Sequence, residues 1–162
     1  MSKDHLIDIL LGRLESSAEA IRKDWYAPHE GTQTRYCTID NLLPETVAKE
    51  IYDAFPRDAN GFHTQASFRE HKRNSGNFDQ LPRILADITF AMQDPRVAEK
   101  ISELTGMPEL EPDPHLYAGG LSMMFKNDFL NPHIDNSHEA TKKKYRRINL
   151  LYYVTPNWGE GD

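Results

Sequence analysis

The sequence changes character once, at the proline- and acid-rich stretch from Pro108 to Pro114. Before it, apolar residues recur at intervals of three or four, which is the spacing of one face of a helix. After it, glycines, aromatic residues and β-formers become frequent, and these favour turns and strands. Because 162 residues suffice for one ordinary domain, the sequence predicts a single α+β domain, mainly helical over 1–112 and built of strands over 113–162.

Four helices are predicted in the first part, each from a stripe of apolar residues. The stripes are Leu6, Leu10, Leu14, Ala18, Ile21 and Trp25; Val47, Ile51 and Phe55; Leu81, Ile84, Leu85, Ile88 and Met92; and Val97, Ile101 and Leu104. The first helix is expected to run unbroken from about Lys3 to Trp25. The fourth has the clearest boundaries, since Asp94 suits an N-cap, Pro95 a first turn and Gly106 a C-terminal end. The polar stretch from Pro56 to Phe78 is expected to be irregular surface chain.

Three strands and a connecting loop are predicted in the second part. The strands lie near Leu121 to Lys126, Asn131 to Asp135 and Arg147 to Thr155, and the loop contains Lys142 to Lys144. Residues two apart on a strand point the same way, so the second strand would place the imidazole of His133 beside the carboxylate of Asp135. These groups supply two corners of the facial metal site that leaves positions open on Fe(II) for a cosubstrate and dioxygen. A histidine hydrogen-bonded to a neighbouring aspartate is the simpler alternative.

The order of the motifs around this pair resembles the prolyl-4-hydroxylase-like branch of the Fe(II)- and 2-oxoglutarate-dependent oxygenases. Phe129 to Asn136 is similar to the first metal strand of that family. Arg147 to Trp158 is similar to its next strand, which carries a Tyr-Tyr-hydrophobic pattern and ends in a tryptophan turn. Upstream, Ile39 to Pro44 is similar to the segment that leads into the first supporting helix.

The resemblance implies N-terminal supporting helices followed by a partial double-stranded β-helix, or jelly roll. It implies Fe(II), 2-oxoglutarate and dioxygen, with ascorbate as a candidate further cofactor. The implied reaction hydroxylates a carbon of a small-molecule or peptidyl substrate while 2-oxoglutarate is decarboxylated to succinate. His133 and Asp135 carry over as metal ligands and catalytic residues. Tyr153 carries over as a donor to the distal carboxylate of 2-oxoglutarate, and Asn149, on the same strand face, as a second residue that binds this cosubstrate. An ordinary core tyrosine is the alternative for Tyr153.

The sequence also departs from the family pattern. Met123 to Phe125 stand where many relatives carry a tyrosine. The second metal histidine of the family, and the basic residue that pairs with the distal carboxylate, belong to strands that would follow Trp158 to Asp162. A truncated product or partial sequence is therefore expected, with exposed strand edges through which two copies could form a homodimer.

The composition argues against several kinds of binding and metal site. A balance of 19 basic against 25 acidic residues gives a net charge of −6, which argues against general binding to nucleic acid or anionic membranes. Cys37 is the only cysteine, so neither an intrachain disulfide nor a cysteine-based zinc site is expected, and a cytoplasmic protein fits this usage.

Three rival interpretations stay open. The first is a non-catalytic jelly-roll or β-sandwich binding module. The second is a nucleic-acid-binding domain that uses the basic run Lys142 to Arg147, although a solvated loop explains that run more simply. The third is a hydrolytic metal site that adds His115 and His138 to His133 and Asp135.

Overall fold

The computed structural model of the protein describes residues 1–117 and 119–157. Within these residues the chain is a mixed α+β protein with five helices and a four-stranded antiparallel sheet, so the predicted fold class is confirmed at that level. The predicted tryptophan turn at Trp158 lies outside the described residues. The helices are α1 (Lys3–Ser16), α2 (Ala18–Tyr26), α3 (Glu45–Ala54), α4 (Arg83–Met92) and α5 (Pro95–Thr105). The strands are β1 (His63–Ala66), β2 (Glu70–Ser75), β3 (Leu121–Met123) and β4 (Phe129–Leu130).

The chain divides into two compact units. One consists of Met1–Glu50 and Asp87–Pro112, and the other of Ile51–Ala86 and the chain from Asp113 onward. In the first unit α1 and α2 pack against α5, and their apolar stripes are buried. The indole N–H of Trp25 donates to the carbonyl oxygen of Thr105 at 2.9 Å, which satisfies the polar atom of a side chain that is only 4% exposed.

The prediction of one unbroken first helix is wrong. The helix ends at Ser16 and a new one begins at Ala18, with Ser17 between them at φ −103° and ψ 5°. The apolar spacing from Leu14 to Ile21 continues across this break, so periodicity alone gives no sign of it. The boundaries predicted for α5 are confirmed: the side chain of Asp94 accepts from the backbone N–H of Arg96, and Gly106 has a left-handed φ of 67°.

The sheet of the second unit is built around β2. β1 pairs with one side of β2, and β3 and β4 pair with it in succession, β4 against Glu70–His71 and β3 against Arg73–Ser75. The prediction that residues 56–78 are irregular is therefore wrong, because this stretch contains β1 and the central strand β2.

The error has a physical cause in the composition of β2. Its sequence, Glu-His-Lys-Arg-Asn-Ser, contains none of the β-branched or aromatic residues that mark a buried strand. Glu70 is buried with its charge paired: its carboxylate lies 2.8 Å from Arg69 Nη2 and 2.9 Å from Lys72 Nζ. The side chains of His71, Lys72 and Arg73 are partly buried. Hydrogen bonds from Lys72 and then Arg69 lower the pKa of Glu70 to about 2.

The predicted strands downstream are only partly present. β3 ends at Met123 rather than near Lys126, and β4 ends just before Asn131. Neither Asn131–Asp135 nor Arg147–Thr155 forms a strand, so both of those predictions are wrong. The physical reason is that neither segment has a partner strand in the sheet, and β-prone side chains do not by themselves make a ladder. The double-stranded β-helix is not confirmed. None of the helices in the described residues is long and apolar enough to cross a lipid bilayer.

Candidate metal centre

His133 and Asp135 lie side by side in the segment that follows β4. Their facing atoms, His133 Nε2 and Asp135 Oδ1, are 3.2 Å apart. The imidazole is 21% exposed and the carboxylate 47% exposed, so both groups are open to solvent and to a ligand. The structure therefore brings together the two side chains that the His-x-Asp motif singles out, although the segment is not a strand.

Asn131 connects this segment to the β1–β2 hairpin. Its backbone N–H donates to the carbonyl oxygen of Arg69, and its side-chain Nδ2 donates to the carbonyl oxygen of Phe68, both at 2.8 Å. The carbonyl oxygen of Asn131 lies 2.8 Å from His133 Nδ1. Sequence reasoning missed this role of Asn131, and its place two residues before the histidine is the only signal that could have indicated it.

The contact with Asn131 fixes which ring nitrogen of His133 carries a proton. A carbonyl oxygen can only accept a hydrogen bond, so Nδ1 must be the donor. In a neutral ring Nε2 then has a free lone pair, and this lone pair faces the anionic Oδ1 of Asp135. Two acceptors in contact repel each other unless a positive centre lies between them, either a second ring proton or a metal ion.

The spacing of the two atoms fits a shared metal ion. With metal–ligand bonds of about 2.1 Å and a right angle between neighbouring ligands, two donor atoms lie about 3.0 Å apart. The observed separation of 3.2 Å is close to this value. Metal-binding histidines commonly donate their other N–H to a backbone carbonyl, as His133 does to Asn131. Together the pair fits two corners of a facial site.

The second oxygen of the Asp135 carboxylate has partners of its own. Oδ2 accepts a hydrogen bond from Asn149 Nδ2 at 3.1 Å and lies 3.9 Å from Arg146 Nη2. Arg146 Nη2 also lies 3.5 Å from Asn149 Oδ1. Of the four site residues predicted from the sequence, the structure thus brings together His133, Asp135 and Asn149. Arg146 was not predicted as a site residue, although its position in the basic run was noted.

Tyr153 is placed differently. Its side chain is 83% exposed and forms no hydrogen bond with any residue in the described ranges. Its neighbour Tyr152 is half-buried, and burial raises the pKa of the Tyr152 phenol. The roles of Tyr153 and Asn149 in binding 2-oxoglutarate stay predictions.

No third ligand joins the pair within the part of the chain that the structure describes. No cluster of three or more histidine, cysteine, aspartate or glutamate side chains there could hold a metal ion. His138 is instead part of a small hairpin, where its ring packs on Tyr145 with centroids 4.2 Å apart and its Nδ1 lies 2.8 Å from Ser137 Oγ.

The basic loop between His138 and Tyr145 is organised by one carboxylate. Glu139 accepts hydrogen bonds from the hydroxyl and N–H of Thr141 and from the backbone N–H groups of Lys143 and Lys144. These hydrogen bonds, led by that of the Thr141 hydroxyl, lower the pKa of Glu139 to about 2. Lys142 to Lys144 lie in a loop, as predicted, but the two strands that this loop was expected to connect do not form.

A second polar cluster, also missed from the sequence, centres on Asp128. This carboxylate is 4% exposed and accepts from His71 Nδ1, from Arg73 Nη1 and, at 2.7 Å, from the backbone N–H of Phe125. The Phe125 N–H, followed by Arg73 and His71, holds the pKa of Asp128 near 2. His71 and Arg73 lie more than fifty residues from Asp128 along the chain, so no local motif could reveal these ion pairs. The cluster fixes the turn between β3 and β4 onto β2.

Comparison with known proteins does not identify a family for this chain. No protein-family profile matches the chain, and neither the curated protein sequences nor the solved structures contain a significant match.

Proposed function

We propose that the chain is an Fe(II)- and 2-oxoglutarate-dependent oxygenase that hydroxylates a carbon centre, with His133 and Asp135 as two of its metal ligands. The observation that carries the proposal is the approach of His133 Nε2 to Asp135 Oδ1 at 3.2 Å while Nδ1 is committed to the Asn131 carbonyl. The choice of iron and 2-oxoglutarate rests on the resemblance of the surrounding motifs to the prolyl-4-hydroxylase-like branch. A double-stranded β-helix is part of the same proposal.

Each residue has a distinct task in this proposal. The Asn131 carbonyl holds the His133 ring with Nδ1 protonated, which leaves the Nε2 lone pair for the metal. Asp135 offers Oδ1 as an anionic ligand beside it. The exposed phenol of Tyr153 is available to donate to the distal carboxylate of 2-oxoglutarate. Iron bound with 2-oxoglutarate and dioxygen supplies the oxidising chemistry, in which succinate and carbon dioxide form as a C–H bond becomes C–OH.

Two protein ligands predict weak metal binding. Within residues 1–117 and 119–157, no third candidate ligand lies beside the pair. Water and cosubstrate oxygens would therefore fill the other positions of an octahedral ion. We therefore expect metal affinity to rise when 2-oxoglutarate is present, since its keto-acid end chelates the same ion.

The test begins with anaerobic titration of Co(II), a stable stand-in for Fe(II), followed by absorption and by the NMR signals of the His133 ring. We expect binding at Nε2, tighter binding with 2-oxoglutarate, and loss of both in His133→Ala and Asp135→Ala. His138→Ala is the matched control, because His138 lies in the adjacent hairpin and contacts Tyr145 rather than the pair. Succinate formation with Fe(II) and dioxygen then tests the oxidative step.

A non-catalytic binding module gives a different result in the same titration. In that case a second ring proton occupies the space between Nε2 and Oδ1, and the 3.2 Å contact is an ordinary charged hydrogen bond. Co(II) would then leave the NMR signals of the His133 ring unchanged. That outcome would overturn the proposed metal site.

A further inference from the structure

The two oxygens of the Asp135 carboxylate have different surroundings. Oδ1 faces His133 Nε2 at 3.2 Å, whereas Oδ2 accepts from Asn149 Nδ2 at 3.1 Å. A free carboxylate rotates readily about its terminal bond, so both of its oxygens could turn toward the same ligand unless one of them is held. The hydrogen bond from Asn149 holds Oδ2 and leaves Oδ1 beside the ring.

Arg146 determines which way the Asn149 carboxamide points. The guanidinium can only donate and the carboxylate can only accept, while the carboxamide has one end of each kind. With Arg146 Nη2 3.5 Å from Asn149 Oδ1, the amide NH₂ is the end that faces Asp135. The reverse orientation would put two donors together at one end and two acceptors at the other, so this network favours one amide orientation.

We infer that Asn149 is a positioning residue for the metal-binding carboxylate of Asp135, and that Arg146 orients Asn149 for this task. The inference rests on the proposed function, because it concerns the same ion. If the inference is correct, Asp135 would bind the metal through Oδ1 alone. A carboxylate that used both oxygens would occupy an extra coordination position and would leave one fewer for the cosubstrate, dioxygen, water or a further ligand.

This role differs from contact with 2-oxoglutarate, which the family resemblance suggested for Asn149. A residue that acts only on the cosubstrate changes its binding and leaves the metal alone. A residue that holds Asp135 changes the metal site before any cosubstrate is added. Hydrogen-bond partners of metal ligands typically contribute 10–100-fold to metal affinity, so we expect a loss of roughly tenfold or more when Asn149 is replaced.

The experiment measures Co(II) binding without 2-oxoglutarate in the full chain and in Asn149→Ala and Asn149→Leu. Leucine keeps the shape of asparagine and removes its donor. We expect both variants to bind Co(II) at least roughly tenfold more weakly, and to show a changed absorption spectrum as Asp135 becomes free to use both oxygens. Arg146→Ala removes the contact that orients Asn149 and also a cation 3.9 Å from Asp135 Oδ2, so it is compared with the same change in the Asn149→Leu background. If Arg146 orients Asn149, the change should weaken Co(II) binding more when Asn149 is present than when it is absent.

Asn136→Ala is the matched control. Asn136 is the same residue type, follows Asp135 directly, and forms no hydrogen bond with any other described residue. The NMR signals of the β2–β4 pairing show whether each variant is folded. If the full chain binds Co(II) but both Asn149 variants keep its affinity and spectrum, the positioning role is refuted while the metal site stands. If the full chain binds no Co(II), the proposed function itself fails.

Discussion

Replacing Gly120 with alanine should loosen the pairing of β3 with β2. Gly120 precedes β3 and has a φ of +103°, which L-residues rarely adopt. A Cβ atom there would overlap the carbonyl oxygen of Ser75, the last residue of β2, and would lie 3.2 Å from the Cα of Gly76. Both obstacles are backbone atoms, so neither can rotate away, and the two strands must separate.

The expected magnitude follows from three contributions. The positive φ costs about 1–2 kcal/mol for a residue with a Cβ. Separation of the strands costs about 1 kcal/mol for a lost backbone hydrogen bond. Alanine also restricts the unfolded chain, which offsets about 0.4–1 kcal/mol. The net loss is about 2 kcal/mol for β3.

Hydrogen exchange measures this loss where it occurs. A change of about 2 kcal/mol makes the protected amides of β3 exchange roughly 30-fold faster when exchange is limited by local opening. Gly61→Ala is the matched control, since Gly61 has a φ of +79° but nothing within 4 Å of an added Cβ. If Gly120→Ala accelerates β3 exchange no more than Gly61→Ala does, the proposed clash with Ser75 is wrong.

Three further predictions concern separate parts of the chain. Leu10→Ala should destabilise the unit that contains α1 and α5 by about 2–5 kcal/mol, because Leu10 is 2% exposed. Urea unfolding, followed by the fluorescence of Trp25, measures this loss, and an unchanged midpoint would show that Leu10 contributes little to the core. Asp128 should titrate near pH 2 in carbon NMR. Because its folded pKa lies below the unfolded value of about 3.9, its stabilisation is present above pH 4 and is lost as the pH falls toward 2, so a midpoint near 3.9 would contradict the buried ion pairs. Glu139→Gln should release residues 140–144, seen as lower backbone order parameters, because a neutral amide accepts hydrogen bonds less strongly than the carboxylate; unchanged order would show that the loop does not depend on Glu139.

The helices were predictable because their signals are local. A stripe of apolar residues indicates the buried face of a helix, and the cap at Asp94 and the glycine at 106 mark the ends of α5 from the sequence alone. The break at Ser17 was not predictable, since the apolar stripe passes through it unchanged. The central strand β2 was missed for a related reason: its burial depends on ion pairs with residues distant in sequence, such as that of Arg73 with Asp128.

The two candidate ligands could be predicted from the sequence, but the contacts that position them could not. The spacing of His133 and Asp135 is enough to predict that their side chains meet, and the segment achieves this without a partner strand. The carbonyl oxygen of Asn131 fixes the ring of His133. Asparagine occurs in many loops, so its presence in the sequence does not indicate this role. The exposure of Tyr153 depends on where its segment lies in three dimensions, which no local pattern in the sequence specifies.

The anchoring of Asn131 matters for anyone who would modify this protein. The turn between β1 and β2 has the features of a permissive insertion point, since it is short and Phe68 at its tip is 93% exposed. Yet the carbonyl oxygens of Phe68 and Arg69 hold Asn131, and Asn131 in turn holds His133. A tag or label inserted there would disturb the hydrogen bonds to Asn131 and, through Asn131, the position of the His133 imidazole. The turn should therefore keep its native length, and such additions should be placed elsewhere.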